Sequence, residues 1–163
     1  MGNRELRLVI SGTYSTGKTT TATALSIATG LPLIDALSAR EILTDLYPGR
    51  RFQDMSSTEL MALGLKRFEE RIRTEGILYK EHGSFLSDGS VLNEWIYGTV
   101  RMRVGINPGS AFIHRLMKSI LGLPGRTFFK KYLTAYGVVS KNHAKLWYTD
   151  VVHLPVEFAM DPD

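Results

Sequence analysis

Apolar and polar positions along the chain switch between two periods. Leu6-Arg7-Leu8-Val9-Ile10-Ser11 is short, rich in branched apolar residues and stopped by Gly12, the pattern of a strand buried in a parallel sheet. Lys18 to Thr29 runs without a breaker, and Ala22, Ala24, Leu25 and Ala28 give it one small apolar face. Gly30 and Pro32 end this predicted helix. Leu33-Ile34 predicts a second, very short strand with Asp35 at its end. Ser38 to Leu46 predicts a helix that Pro48-Gly49 terminates. Ser56-Ser57-Thr58-Glu59 has the spacing of a capping box and opens a helix predicted to reach about Glu75. In that helix Leu60, Leu63, Phe68 and Ile72 share the inner face, and Lys66, Arg67, Glu69, Glu70 and Arg71 the wet one.

The second half repeats the alternation. Gly83 to Asp88 predicts a strand ending on a carboxylate, Val91 to Val104 a helix, and Gly105 to Gly109 a loop. Helices follow over Ala111–Leu121 and Thr127–Val139, separated by Gly122-Leu123-Pro124-Gly125, and Asp150 to Leu154 is a fourth strand stopped by Pro155. Strands alternating with helices predict an α/β fold of three layers, a parallel sheet with helices on both faces. No repeat, low-complexity tract or linker divides the chain, so residues 1–163 read as one domain.

Composition narrows the chemistry. With 44% hydrophobic and 22% charged residues, disordered and collagenous classes do not fit. The absence of cysteine excludes disulfides, thiolate nucleophiles and cysteine-based zinc sites. Lys and Arg number 20 against 16 Asp and Glu, a net charge of +4 that is scattered along the chain. That excess suits phosphate anions and is too small to indicate nucleic acid. No apolar run nears the roughly 18 residues of a membrane helix, and Arg4, Glu5 and Arg7 do not begin a signal peptide. The expected setting is the cytoplasm. His82, His114, His143 and His153 have no metal-ligand spacing, and His153 reads as structural, inside its strand.

The strongest chemical signal is Gly12-Thr13-Tyr14-Ser15-Thr16-Gly17-Lys18-Thr19, which matches G-x-x-x-x-G-K-[ST] without deviation. At average residue usage a chance match in such a chain has odds of about one in two hundred. The position after a β-branched strand and before a helix lengthens those odds. The glycines let several backbone N–H groups converge on one anion. The helix that follows aims the positive end of its dipole at the same point. Lys18 can reach the outer phosphates of a nucleotide and the Thr19 hydroxyl can join a Mg²⁺ shell, with Thr20 next in line. Residues 12–20 are therefore the expected ATP-binding segment.

With this loop, Ala39-Arg40-Glu41 after a short strand, and the segment Phe85-Leu86-Ser87-Asp88-Gly89-Ser90, the chain resembles the AAA-type P-loop kinases related to ribosylnicotinamide kinase. More broadly it is similar to the nucleoside and nucleotide kinases. The resemblance implies a nucleoside-kinase-like P-loop NTPase that uses ATP and Mg²⁺. In such kinases the strand ends in an acidic-Arg-Ser triplet whose acid is the candidate base; here the triplet is Asp88-Gly89-Ser90, with glycine in place of arginine. The resemblance also places an acceptor-binding arginine near Arg40, and an arginine-bearing lid and final strand after the fourth strand. Phe158 to Asp163 looks like the approach to that lid.

Residue chemistry gives Asp88 two roles, holding Mg²⁺ with Thr19 or accepting the proton of an attacking hydroxyl, beside the plainer role of capping the next helix. Asp35 at a strand end, Arg40 on the following helix and the Phe52-Gln53 pair form the expected acceptor side. Each has a structural alternative, respectively a loop carboxylate, a solvated arginine and a core plug. Arg101 near the end of its helix suits a transferring phosphate or the helix dipole. Phe112, Ile113, Leu116, Met117, Ile120 and Leu121 read as core packing, with capping of an apolar acceptor or a homodimer contact as alternatives. The expected function is ATP-dependent phosphorylation of a hydroxyl on a small molecule, a nucleoside or nucleoside-like compound, by Lys18 and Asp88. The alternative is a P-loop ATPase or nucleotide-sensing module without a small acceptor.

Overall fold

The computed structural model describes residues 5–13, 16–104 and 123–156, with residues 53, 57, 101–104 and 123–126 entering by backbone alone. Three parallel strands, β1 (Arg7–Gly12), β2 (Phe85–Asp88) and β3 (Asp150–Leu154), pair in the order β2-β1-β3. The first strand is thus central, which is why its Val9 and Ile10 are buried with Phe85 and Leu86 beside them. Of the strand expected at Leu33-Ile34, only a bridge between Leu33 and Leu86 forms. The Ile34 N–H donates to the Leu86 carbonyl at 2.8 Å and the Leu86 N–H to the Pro32 carbonyl at 2.8 Å. This segment extends the sheet past β2 without becoming a full strand.

Helix α1 (Lys18–Thr29) leaves the loop through Gly17 and ends at Gly30, both in the left-handed region. It packs on β1 and β2. Its apolar face is narrower than expected: Ala22 is buried, whereas Ala24 and Ala28 are exposed, because only one line of the helix meets the sheet. Helix α2 (Ala39–Leu46) and helix α3 (Ser57–His82) each begin with a capping box, Ser38 with Glu41 and Ser56 with Glu59. Ile42, Leu43, Met55 and Leu63 make the core between them, and Phe52 packs against it from a single 3₁₀ turn, Phe52–Asp54.

Two helices run longer than their sequences predict. Helix α3 continues past Glu75 to His82 because Glu75 is completely buried, where it accepts from the Tyr148 hydroxyl at 3.0 Å and the Ser87 hydroxyl at 3.3 Å. The outer face expected of Glu70 and Arg71 is likewise overturned. Glu70 is buried and paired with Arg73 at 2.7 Å, and Arg71 turns inward. After helix α4 (Val91–Val104), helix α5 runs from Leu123 to Trp147, taking in Pro124 and Gly125, which were expected to separate two helices. A proline in the first turn costs no hydrogen bond. Gly137 also stays helical, since a Cβ there would stand 2.5 Å from Trp95 Nε1 on α4. That indole N–H donates to the Leu133 carbonyl at 2.9 Å. His153 lies within β3 but is exposed. The loop expected at 105–109, the helix expected at 111–121 and the approach to a lid at 158–163 lie outside the described residues.

Candidate functional site

The carboxyl ends of β1 and β2 point to one cavity of about 430 Å³, the place where open α/β sheets bind ligands. The phosphate loop forms its floor. Gly12 is required by space: a Cβ there would meet Thr16 Oγ1 at 2.6 Å and the Leu154 carbonyl oxygen at 3.0 Å. Gly17 is required by conformation alone, with φ 78° and nothing near the place of a Cβ. The Thr16 hydroxyl donates to the Thr13 carbonyl at 2.9 Å, and the Lys18 ammonium donates to that same carbonyl. Tyr14 and Ser15 lie outside the described residues. Gly17, Lys18, Thr19 and Thr20 all line the cavity.

Asp88 reaches the cavity from the end of β2. One of its carboxylate oxygens, Oδ2, accepts from the Thr19 hydroxyl. The other, Oδ1, is buried without a hydrogen-bond partner. Buried polar atoms are nearly always satisfied, so an exception at a cavity calls for a ligand. A hard cation suits an oxygen pair of this kind, because Mg²⁺ is held through one or two carboxylates together with substrate phosphates. Thr19 and Asp88 therefore fit the cation that a nucleotide triphosphate carries. The capping role falls to Ser90, whose hydroxyl accepts from the Leu92 N–H at 3.2 Å.

The opposite wall is built by residues that the sequence pattern assigned no functional role. Arg67 and Arg71 enter from α3, and Asn93, Glu94 and Tyr97 from α4. Arg67 pairs with the buried Glu94 at 2.6 Å. Arg71 donates to the Ser87 hydroxyl at 2.8 Å and to the carbonyls of Asp88 and Gly89, each at 3.3 Å. A faint signal existed: arginines four apart on one helix face repel unless that face meets compensating charge. Beneath them Glu75 is shared by Ser87 and Tyr148, and burial, reinforced by the Glu75 charge, pushes the Tyr148 phenol far above its ordinary range.

The residues expected on the acceptor side do not gather here. Asp35 and Arg40 are exposed, Phe52 packs on the core between α2 and α3, and none of the three lines the cavity. Gln53 lies in the 3₁₀ turn and Arg101 in α4, both with side chains outside the described set. Among the described residues, no group of three or more acidic or histidine side chains forms a separate metal site. Among them too, no helix is long and apolar enough to cross a membrane.

A solved structure of deoxyadenosine kinase from M. mycoides with bound dATP superposes with a TM-score of 0.60 at 15% identity. The match covers 91% of this chain and 64% of that kinase, so the chain spans somewhat less than two thirds of its length. At that identity the likeness establishes the fold alone, the α/β P-loop architecture that this kinase also has. No curated protein sequence matches. The profile of the AAA domain family AAA_28 matches residues 7–163. With its phosphate loop in place between a buried strand and a helix, the chain belongs to that family of AAA domains.

Proposed function

We propose that the chain binds a magnesium nucleoside triphosphate, ATP by preference, and transfers its terminal phosphoryl group to a hydroxyl of a small molecule, a nucleoside or nucleoside-like compound. The observation that carries this reading is the Thr19–Asp88 contact beside the loop, between two residues that line a cavity of about 430 Å³, with the second Asp88 oxygen buried and unsatisfied. The kinase fold of the solved relative supports the same reaction class.

Phosphoryl transfer asks for positioning and charge neutralisation more than for covalent chemistry. The amides of the loop and the N-terminus of α1 hold phosphate oxygens, and Lys18 adds a point charge. Thr19 and Asp88 would hold Mg²⁺, which when bound offsets the charge that develops on the phosphates. The Asp88 carboxylate also orients the acceptor hydroxyl or takes its proton. A cavity of this size encloses the reactive end of a small molecule, and Asn93, Glu94 and Tyr97 offer it hydrogen-bonding groups.

A nucleoside library assayed with labelled ATP and Mg²⁺ tests the proposal. Turnover that appears only with an acceptor supports a kinase, whereas the same turnover with and without acceptors means an ATPase. Nucleotide binding with no turnover under any condition means a sensor.

A further inference from the structure

Arg71 is the observation that the loop chemistry leaves unused. It sits on α3, sixteen residues before Ser87, yet its guanidinium crosses to the end of β2 and binds the Ser87 hydroxyl and the carbonyls of Asp88 and Gly89. Those acceptors fix its position without neutralising it, because none is a carboxylate. Two other arginines of α3 are paired with carboxylates: Arg67 with Glu94 at 2.6 Å and Arg73 with Glu70 at 2.7 Å. The three bonds of Arg71 also leave two of a guanidinium's five N–H donors. Ser87, which receives the shortest of them, is itself completely buried and backed by Glu75. The arginine is thus held rigid from behind, and it lines the cavity that also holds Lys18, Thr19 and Asp88. Gly89, with φ 91°, keeps the turn free of a side chain, where a Cβ would stand 3.7 Å from Arg71 Nη2.

We propose that Arg71 is a second phosphate-binding cation of this site, contacting the terminal phosphate of the bound nucleotide in company with Lys18. This rests on the nucleotide-binding reading above. A planar fork of donors matches phosphate oxygens in two bonds at once, which a flexible ammonium cannot do. Held in place before the ligand arrives, it loses little side-chain entropy on binding. The consequence is selectivity: Arg71 serves ATP and has nothing to contact in ADP.

The test is calorimetric binding of MgATP and MgADP to the wild-type chain, Arg71→Gln and Arg71→Lys, with circular dichroism and melting curves for each. Arg71→Gln keeps donors for the carbonyls and removes the charge. It is expected to weaken MgATP binding by about 10- to 100-fold, the loss of charge-assisted bonds to one phosphate, while MgADP binding changes less than about 3-fold. Arg71→Lys is expected to recover only part of the ATP preference, because the charge returns without the fork. A folded Arg71→Gln protein with an unchanged ATP to ADP affinity ratio overturns the proposal, as does an equal loss for both nucleotides, which marks a purely structural arginine. Full recovery of the ratio in Arg71→Lys overturns the two-bond contact. If the wild-type chain binds neither nucleotide, the nucleotide-binding reading itself fails and the proposal falls with it.

Discussion

Replacing Asp88 by Asn separates a carboxylate that holds a cation from one that merely shapes a turn. The substitution keeps the size of the side chain and a carbonyl oxygen for the Thr19 hydroxyl, and it removes the negative charge. In the wild-type chain Oδ1 is buried with no hydrogen-bond partner, and such an atom costs about 1–3 kcal/mol. An amide relieves the ionic part of that cost. The cation-free variant is therefore expected to melt at or above the wild-type temperature, by up to about 2–6 °C, since each kcal/mol moves Tm by about 2–4 °C in a chain of this size. Ligand binding should respond in the opposite direction. One anionic contact to the cation is worth about 1.5–3 kcal/mol, so the gain in ATP affinity that magnesium confers should shrink by about 10-fold or more. Acceptor-dependent turnover should fall by about 100-fold. The assays are scanning calorimetry without metal, and ATP titrations with magnesium and with a chelator. A variant that melts several degrees lower and keeps the whole magnesium effect refutes the reasoning and leaves Asp88 a structural residue.

Lys18→Ala is expected to reduce phosphoryl transfer by about 10²- to 10³-fold, the loss of one charged contact to the transferring group, with the melting curve nearly unchanged; near-normal turnover would count against the loop assignment. Gly137→Ala forces a Cβ to within 2.5 Å of Trp95 Nε1, and overpacking of this kind costs about 1–3 kcal/mol, to be read by denaturant unfolding. Glu59 accepts from the Ser56 N–H at 2.7 Å, and this contact, aided by the Ser56 hydroxyl, holds its carboxyl below the ordinary value of 4.5. A lowered folded-state value means stability that is present above about pH 4.5 and lost as pH falls through the lowered value. Glu59→Gln should therefore flatten the acid side of a pH–Tm profile while changing little near neutrality.

Much of this protein was legible before any coordinates because the signals are local. The phosphate loop needs two glycines, a lysine and a threonine at fixed spacing. The helix at Ser56 announces itself by a box closed within four residues, and β3 and α4 have the bounds that their patterns predict. Each of these depends on neighbours a few positions away, so propensity and periodicity decide it. The pairing of Thr19 with Asp88 was legible in outline too, since Asp88 ends a strand expected to lie beside β1, and the loop after β1 leads to Thr19 at the start of α1.

What tertiary structure alone decided involves residues whose partners lie far along the chain. Polar side chains on α3 read as a wet face until α4, β2 and α5 cover it; then Glu70 and Glu75 are buried and Arg67 and Arg71 become a wall of the cavity. A helix that looks finished at Glu75 continues, because Tyr148, 73 positions later, donates to the buried carboxylate and holds it inside. Gly137 falls inside a helix the pattern predicts, and it is the gap into which Trp95 fits. The acceptor side was expected near Arg40 and Phe52; among the described residues the cavity beside the loop is lined from α1, α3 and α4, because which helices close over the sheet is decided by packing. Burial converts a charge from solvated surface to paired or ligand-seeking interior, and only the packing of distant segments determines which residues are buried.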